Sequence, residues 1–296
     1  MRQKTEHVDR LSKLPDSILT HILSFLPTRK AIQTSLLAKR YRNLWASVPV
    51  LDFHFHDSHP LDEYAEKRSC ECEEKFVKFV DGVFEHREPL TLDALKLVLI
   101  DDNSDFAPAT TWLDSAAMLK PKFLSAKILT EACTCCFEIP ESVFTSESLQ
   151  KLVLKLSFDS ISPRYVNLPN LKMLSLSTVS IEDGAMEKLS SGLPLLEEMV
   201  LCNCILNSCS IYSSTMKRLV LDNCHSDITS PPDILISIPS LAFLKIHNCT
   251  VRKLKFKKLE SLVKAQIHCT EFSNEEPLFL TGLLNVTSLK LVIPMV

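Results

Sequence analysis

A recurring hexapeptide constrains this chain more than any other feature. Leu-x-x-Leu-x-Leu, with Met, Ile, Val or Ala substituting, occurs at LQKLVL (149), LKMLSL (171), LEEMVL (196), MKRLVL (216), LAFLKI (241), LVKAQI (262) and VTSLKL (286). Successive units start 22, 25, 20, 25, 21 and 24 residues apart, the spacing of a solenoid repeat. All 21 defining positions are apolar or Ala, in a chain whose hydrophobic content is 46%. Weaker units precede them at LDALKL (92) and FLSAKI (123). On a short strand, positions four and six of each unit point into the core, while positions three, five and seven point outward. No unit buries its apolar edge alone, so the units stack into a curved solenoid. Pro169, Pro194 and Pro239 each stand two residues before a unit, where they end the preceding segment and favour extended backbone. The stretch IEDGAMEKLSSGL (181–193) reads as a helical turn on the outer face.

The N-terminal forty-five residues follow a different period. Pro15 opens a helix with Asp16 in its first turn, and Ile18, Leu19, Ile22, Leu23 and Leu26 recur at helical spacing. Pro27 ends that helix and Thr28 caps a second, which carries Ala31, Ile32, Ser35 and Leu36. A third, from about Lys39, presents Tyr41, Leu44, Trp45 and Val48 before Pro49 stops it. Three short helices of this size bury too little surface to be robust alone. The first is apolar around more than one face, which predicts contact with a second body, either the downstream domain or a partner.

These residues carry a resemblance. LPDSIL (14–19), ILSFLPT (22–28), LAKRYRNLW (37–45) and VPVLDF (48–53) resemble an F-box of the plant type, with Ala38 and Tyr41 standing where the family usually has Ser and Trp. Together with the array, the chain resembles the plant F-box/leucine-rich-repeat family, whose members often carry a further C-terminal FBD domain. The resemblance implies an α/β architecture, a short three-helix F-box over 9–53 followed by a curved leucine-rich-repeat solenoid over 89–296, clear from residue 149. It also implies docking on the Skp-type adaptor of a cullin-based ubiquitin ligase through Leu14, Pro15, Ile18, Leu19, Ile22, Leu23, Leu26 and Pro27, with Ile32, Leu36 and Trp45 supporting or contacting. Val296 follows the strand of the seventh clear repeat with no polar cap or FBD domain, so a cover or a shortened form is expected there. Residues 54–73 read as a polar linker, and Phe76, Phe79, Val80, Val83 and Phe84 as the stripe of a packing helix within 74–88.

Other chemistries find little support. Four glycines in 296 residues exclude a phosphate-cradling loop. Lys plus Arg (33) against Asp plus Glu (36) gives a net charge of -3, so no global basic field grips nucleic acid or anionic lipid. The charged N-terminus MRQKTEHVDR is no signal peptide, and no run of 18 apolar residues spans a membrane. The eleven cysteines are then expected as reduced thiols in the cytoplasm or nucleus. His54, His56, His59, Cys70 and Cys72 fit structural zinc spacing poorly, and Cys133, Cys135 and Cys136 have no second ligand pair. Cys204, Cys224 and Cys249 share the ninth position of their units, which reads as a buried row. Arg252, Lys253, Lys255, Lys257 and Lys258 alternate with Leu254 and Phe256, the pattern of a half-buried strand.

The outward strand positions remain as the binding surface. They place Lys151, Lys155, Glu198, Arg218, Asp222, Phe243, Lys245, His247, Lys264 and His268 on the concave face, cationic at both ends, which suits a partner with acidic character. The reading is a non-catalytic substrate receptor of a Skp–cullin–F-box ligase. It holds a target protein, meets the cullin and RING subunit only indirectly, and has no cofactor, metal, nucleic acid or membrane partner. The alternative is a non-catalytic interaction module, or a shortened F-box protein, that binds the adaptor without ligase activity.

Overall fold

The structure, a computed structural model, describes residues 11–56, 65–100, 107–130, 137–207, 209–226, 233–257, 259–272 and 282–292. Ten parallel strands form one ladder in chain order: β1 (Val50–His56), β2 (Ala94–Ile100), β3 (Phe123–Leu129), β4 (Lys151–Lys155), β5 (Met173–Ser177), β6 (Glu198–Cys202), β7 (Arg218–Asp222), β8 (Phe243–Val251), β9 (Lys264–Phe272) and β10 (Ser288–Val292). Each unit sits in register with the next, so that Leu152 faces Leu174, Leu174 faces Met199 and Met199 faces Leu219. Positions four and six of the units from 149 to 262 are buried as the alternation predicts, from Leu152 and Leu154 to Ala265 and Ile267. Leu289 and Leu291 on β10 are exposed. Fully burying one such side chain is worth about 1.5–3 kcal/mol, so the leucine stack is the main source of the array's stability.

The prolines before the strands have a more specific role than ending the previous segment. Leu171, Leu196 and Leu241 each donate a backbone hydrogen bond to the residue three before, at 3.1, 3.2 and 3.2 Å. Pro169, Pro194 and Pro239 therefore occupy the second position of a β-turn, for which their φ is preset. The helical turn expected in 181–193 is a helix at Ala185–Gly192.

Four expectations need adjustment. The second N-terminal helix ends at Gln33 and continues as a 3-10 turn, Thr34–Leu36, and after the extended Ala38 the third is wound as 3-10 turns, Lys39–Tyr41 and Leu44–Ser47. β1 lies in the last residues of the segment assigned to the F-box, yet it pairs with β2 and opens the ladder. The packing helix spans Ala65–His86, taking in part of the stretch read as linker. FLSAKI is displaced by two residues, because Leu124 and Ala126 lie opposite Leu152 and Leu154. Pro121 holds the first position of that unit, which hid it from a leucine pattern.

The F-box has its own small core of Leu19, Leu23, Ala31, Leu44 and Val48, edged by Leu14, Tyr41 and Val50. Tyr41 therefore fills the place of the usual Trp. The array grips this unit along a seam. Ile32 and Trp45 pack against the array's core, and the Asp52 amide donates to Thr28 Oγ1 at 2.7 Å. The Glu88 amide donates to the Ala46 carbonyl at 3.1 Å, while Ser47 Oγ donates to Glu88 Oε2 at 2.7 Å. Phe53 is the centre of the seam, 1% exposed, with the rings of Phe79 and Phe84 each 6.1 Å away.

The eighth residue of four units has left-handed backbone: Thr178, Asn203, Asn223 and Asn248, with φ of 54, 53, 55 and 53°. Asn tolerates this region, whereas a β-branched residue does not. Asn248 Nδ2 donates to Asn223 Oδ1 at 2.7 Å and Asn223 Nδ2 to Asn203 Oδ1 at 2.5 Å. Thr178 ends the asparagine ladder, with its hydroxyl buried and unpartnered. Thr178→Asn is expected to extend the ladder and stabilise the protein by about 1 kcal/mol, relieving backbone strain and an unmet hydrogen bond. A thermal melt should show a midpoint raised by roughly 2 °C.

Candidate functional site

Two surfaces stand out. The first is on the F-box. Its first helix, Asp16–Leu23, carries two stripes one residue apart. Leu19 and Leu23 are buried in the F-box core, so these two expected docking residues hold the fold and are absent from the surface. Ile18 and Ile22 are 45% and 40% exposed. Pro15, Leu26, Pro27 and Leu36 join them in solvent, and Leu14 is half-buried at the edge of the core. Ile32 and Trp45 face the array, which removes them from the exposed patch. Phe25 and Leu37, 74% and 75% exposed, belong to the patch although the sequence analysis passed over them. Phe25 was legible, since Ile18, Ile22 and Phe25 follow i, i+4, i+7. Arg40 steadies the entry to the helix by hydrogen bonding to the Leu14 carbonyl and pairing with Asp16 at 2.7 Å. An apolar patch of this kind on a soluble surface marks an interaction site.

The second surface is the open face of the ladder. All ten residues expected there lie on it, in two groups. Lys151 and Lys155 occupy β4, and the other eight lie on β6 to β9, about two strand spacings (~10 Å) further on. Across β6–β9, Glu198 Oε1 pairs with Arg218 Nε at 2.9 Å, and the Arg218 guanidinium lies 4.2 Å from the Phe243 ring centroid. Lys264 Nζ lies 5.9 Å from the centroid of the same ring. Further along these strands Asp222 bridges Lys245 Nζ at 2.6 Å and His247 Nδ1 at 3.0 Å, and the His247 ring lies 5.2 Å from that of His268.

Burial opposes ionisation of Asp222, but hydrogen bonds and charge from Lys245 and His247 outweigh it and hold the carboxyl below the usual carboxylate range. A depressed folded pKa contributes stability above the unfolded value of about 3.9 that is lost as pH falls through the folded value. Asp222→Asn should therefore be less stable than the parent near pH 6. The gap in denaturation midpoint should narrow below about pH 4.

The first three rungs extend the face. His54 Nε2 lies 2.6 Å and Lys96 Nζ 3.8 Å from Asp52. Lys127 stands in register with Lys155. At positions three, five and seven of the ten rungs, Lys96, Lys127, Lys151, Lys155, Arg218, Lys245, Lys264 and Lys290 oppose only Asp52, Glu198 and Asp222 among the described residues. The face thus has an excess of five positive charges on a chain of net charge -3.

Other candidate chemistry is not assembled. Cys204, Cys224 and Cys249 form the expected buried row, joined by Cys269. Burial is the largest factor pushing the Cys269 thiol up to about 12. The Cys224 and Cys249 thiols are raised as well, chiefly by hydrogen bonding within the row. These are poor nucleophiles. Among the described residues no three His, Cys, Asp or Glu side chains gather as metal ligands. His59, Cys133, Cys135 and Cys136 lie outside those residues, as does Lys258, and the side chains of His56 and Cys70 are not described. Lys253–Lys257 forms the half-buried strand expected, with Leu254 inward and its lysines outward. Among the described residues no helix is long and apolar enough to cross a membrane.

Comparison with known proteins finds both parts of the chain. Residues 11–53 match the F-box domain, and residues 109–230 match the leucine-rich repeats of the FBD-associated F-box protein At5g56370. F-box/LRR-repeat protein At4g14103 of Arabidopsis thaliana is 33% identical, over 88% of this chain and 67% of its own. F-box/LRR-repeat protein At3g59200 and F-box/FBD/LRR-repeat protein At1g78750, from the same plant, are 31% and 30% identical over 88% and 89% of this chain. The chain spans 49% and 58% of their respective lengths. No solved structure matches the chain. With an F-box, an in-register leucine ladder and relatives that share both, the chain belongs to the F-box/LRR-repeat family of plants.

Proposed function

We propose that the chain is a substrate receptor of a Skp–cullin–F-box ubiquitin ligase. Its exposed F-box patch docks on the Skp-type adaptor, and the open face of its ladder holds a target protein. Members of this family generally serve as non-catalytic substrate adaptors of such ligases. The observation that carries the reading is the split of the first helix, with Leu19 and Leu23 satisfied within the F-box while Ile18, Ile22 and Phe25 are left for a partner. No bond chemistry falls to this chain. A tethered target meets the charged conjugating enzyme at high effective concentration.

The test has two stages. The full chain should retain a purified plant Skp-type adaptor in a pull-down, and a reconstituted complex with cullin, RING subunit and conjugating enzyme should form ubiquitin conjugates only with the adaptor present. A folded chain that fails to retain the adaptor would sink the receptor reading. Retention without conjugates on any co-purified protein would favour an interaction module that binds the adaptor alone.

A further inference from the structure

We infer that the third and fourth rungs of the ladder form a binding site for an acidic peptide segment, with one of its carboxylates seated between Lys127 and Lys155. The inference rests on the receptor reading and narrows the chemistry of what the receptor holds. In-register positions on neighbouring strands are about 4.8 Å apart. Lys127 and Lys155 share such a position, so two cationic side chains rise from neighbouring points on one face. Like charges so placed repel, and a ladder does not gain stability from them.

Elsewhere on this face the protein supplies its own counter-charge. Asp52, Glu198 and Asp222 each hold a cation. None of these carboxylates reaches Lys127 or Lys155, and neither lysine has an ion pair among the described residues. The neighbours of the pair are neutral. Val98 stands beside Lys127 and Ser177 beside Lys155 in the same row. The next row brings Ser125, Val153 and Ser175. Two lysines in register, without an ion pair among the described residues and with Ser177 beside them and Ser125 and Ser175 in the next row, make a receptor for an oxyanion.

A peptide suits the site better than a nucleic acid. The basic stretch, with Lys96 and Lys151 at its margins, covers three rungs, or about 10 Å. A nucleic-acid track needs a longer basic stripe, with open aromatic rings for bases where the strand is single. The ring of Phe123 on these rungs already has Lys151 Nζ 5.3 Å from its centroid.

Fluorescein-labelled hexaglutamate, titrated with the full chain at low salt and followed by anisotropy, tests the site directly. Saturable binding is expected, absent for hexaglutamine and weakened at least tenfold in Lys127→Glu/Lys155→Glu. Lys255→Glu, on the strand Lys253–Lys257 outside the ladder, should bind within twofold of the parent. Hexaglutamate binding no tighter than hexaglutamine, or unaltered in the double variant, would overturn the assignment. So would tighter binding of a twelve-nucleotide oligothymidine or of phosphatidylserine vesicles. Should the double variant fail to fold by circular dichroism, Lys127→Gln decides. It should bind three- to tenfold more weakly and melt higher at low salt, since one of two facing charges is gone. Unchanged affinity or a lower midpoint would count against the site. Adaptor retention is read separately on the parent and every variant, so a parent that retains the adaptor but binds hexaglutamate no tighter than hexaglutamine condemns the site and not the receptor reading.

Discussion

Ile18→Asp combined with Ile22→Asp is expected to abolish adaptor capture while leaving the circular dichroism spectrum and thermal midpoint near those of the parent. Both side chains are close to half exposed on the first helix and contribute little to the F-box core. In a docked complex each would instead sit in a desolvated pocket, where an aspartate carboxylate loses its water without gaining a partner. Truncating a buried interface anchor costs about 2 kcal/mol or more, and placing a charge there costs further. Together the two changes should remove at least about 4 kcal/mol, roughly a thousandfold in affinity. The contrast is Leu23→Ala, one position along the same helix. Leu23 is 7% exposed within the small core, and its loss should destabilise the F-box by about 2–4 kcal/mol. That variant would lose the adaptor by unfolding, with a lowered midpoint. Full capture by the double aspartate variant would show that the adaptor is held elsewhere.

The second large effect concerns the seam. Phe53→Ala should destabilise the protein by about 3–5 kcal/mol, because the ring is enclosed between the ladder and the helix Ala65–His86 and leaves a cavity that neighbouring rings cannot fill. The sequence holds two tryptophans, and both report on this region. Trp45 packs on the array's core, and Trp112 Nε1 donates to Asp81 Oδ1 at 2.7 Å on the same helix. In a urea titration of the variant, tryptophan fluorescence should change well before the far-UV signal of the leucine ladder. In the parent the two should coincide more closely. Unchanged midpoints for both signals would mean that the F-box and the array are independent bodies joined by a tether.

Where the residues repeat, the fold is legible from the chain. Leu-x-x-Leu-x-Leu dictates both the strand and its inward face, so the units from 149 onward match the ladder register by register. The first and third rungs are harder to read, because β1 is hidden beneath an F-box match and Pro121 and Ala126 replace leucines at positions that a pattern search weights most. Of the expected docking residues, those in solvent differ from the buried ones by a single helical step. The period of a helix cannot say which of two adjacent stripes turns inward until the 3-10 turns at Lys39–Tyr41 and Leu44–Ser47 have been placed beside it. The asparagine ladder escaped notice for a different reason. Its signal is backbone handedness, which composition does not reveal, although Asn at the same position of three units was available to be seen.

The rigid seam and the strand spacing together turn rung number into a postal address. Each rung lies about 4.8 Å beyond the last, so Lys155 on the fourth is about 14 Å from the F-box strand β1 and Phe243 on the eighth about 34 Å. On the proposed receptor function, a target gripped on early rungs would be moored near the adaptor, and one gripped on late rungs far from it. Insertion or deletion of a whole unit between mooring point and F-box would move the cargo in steps of that size without altering a single contact with it. Which lysines of the cargo come within reach of ubiquitin is then set by where along the ladder it ties up, as much as by how tightly.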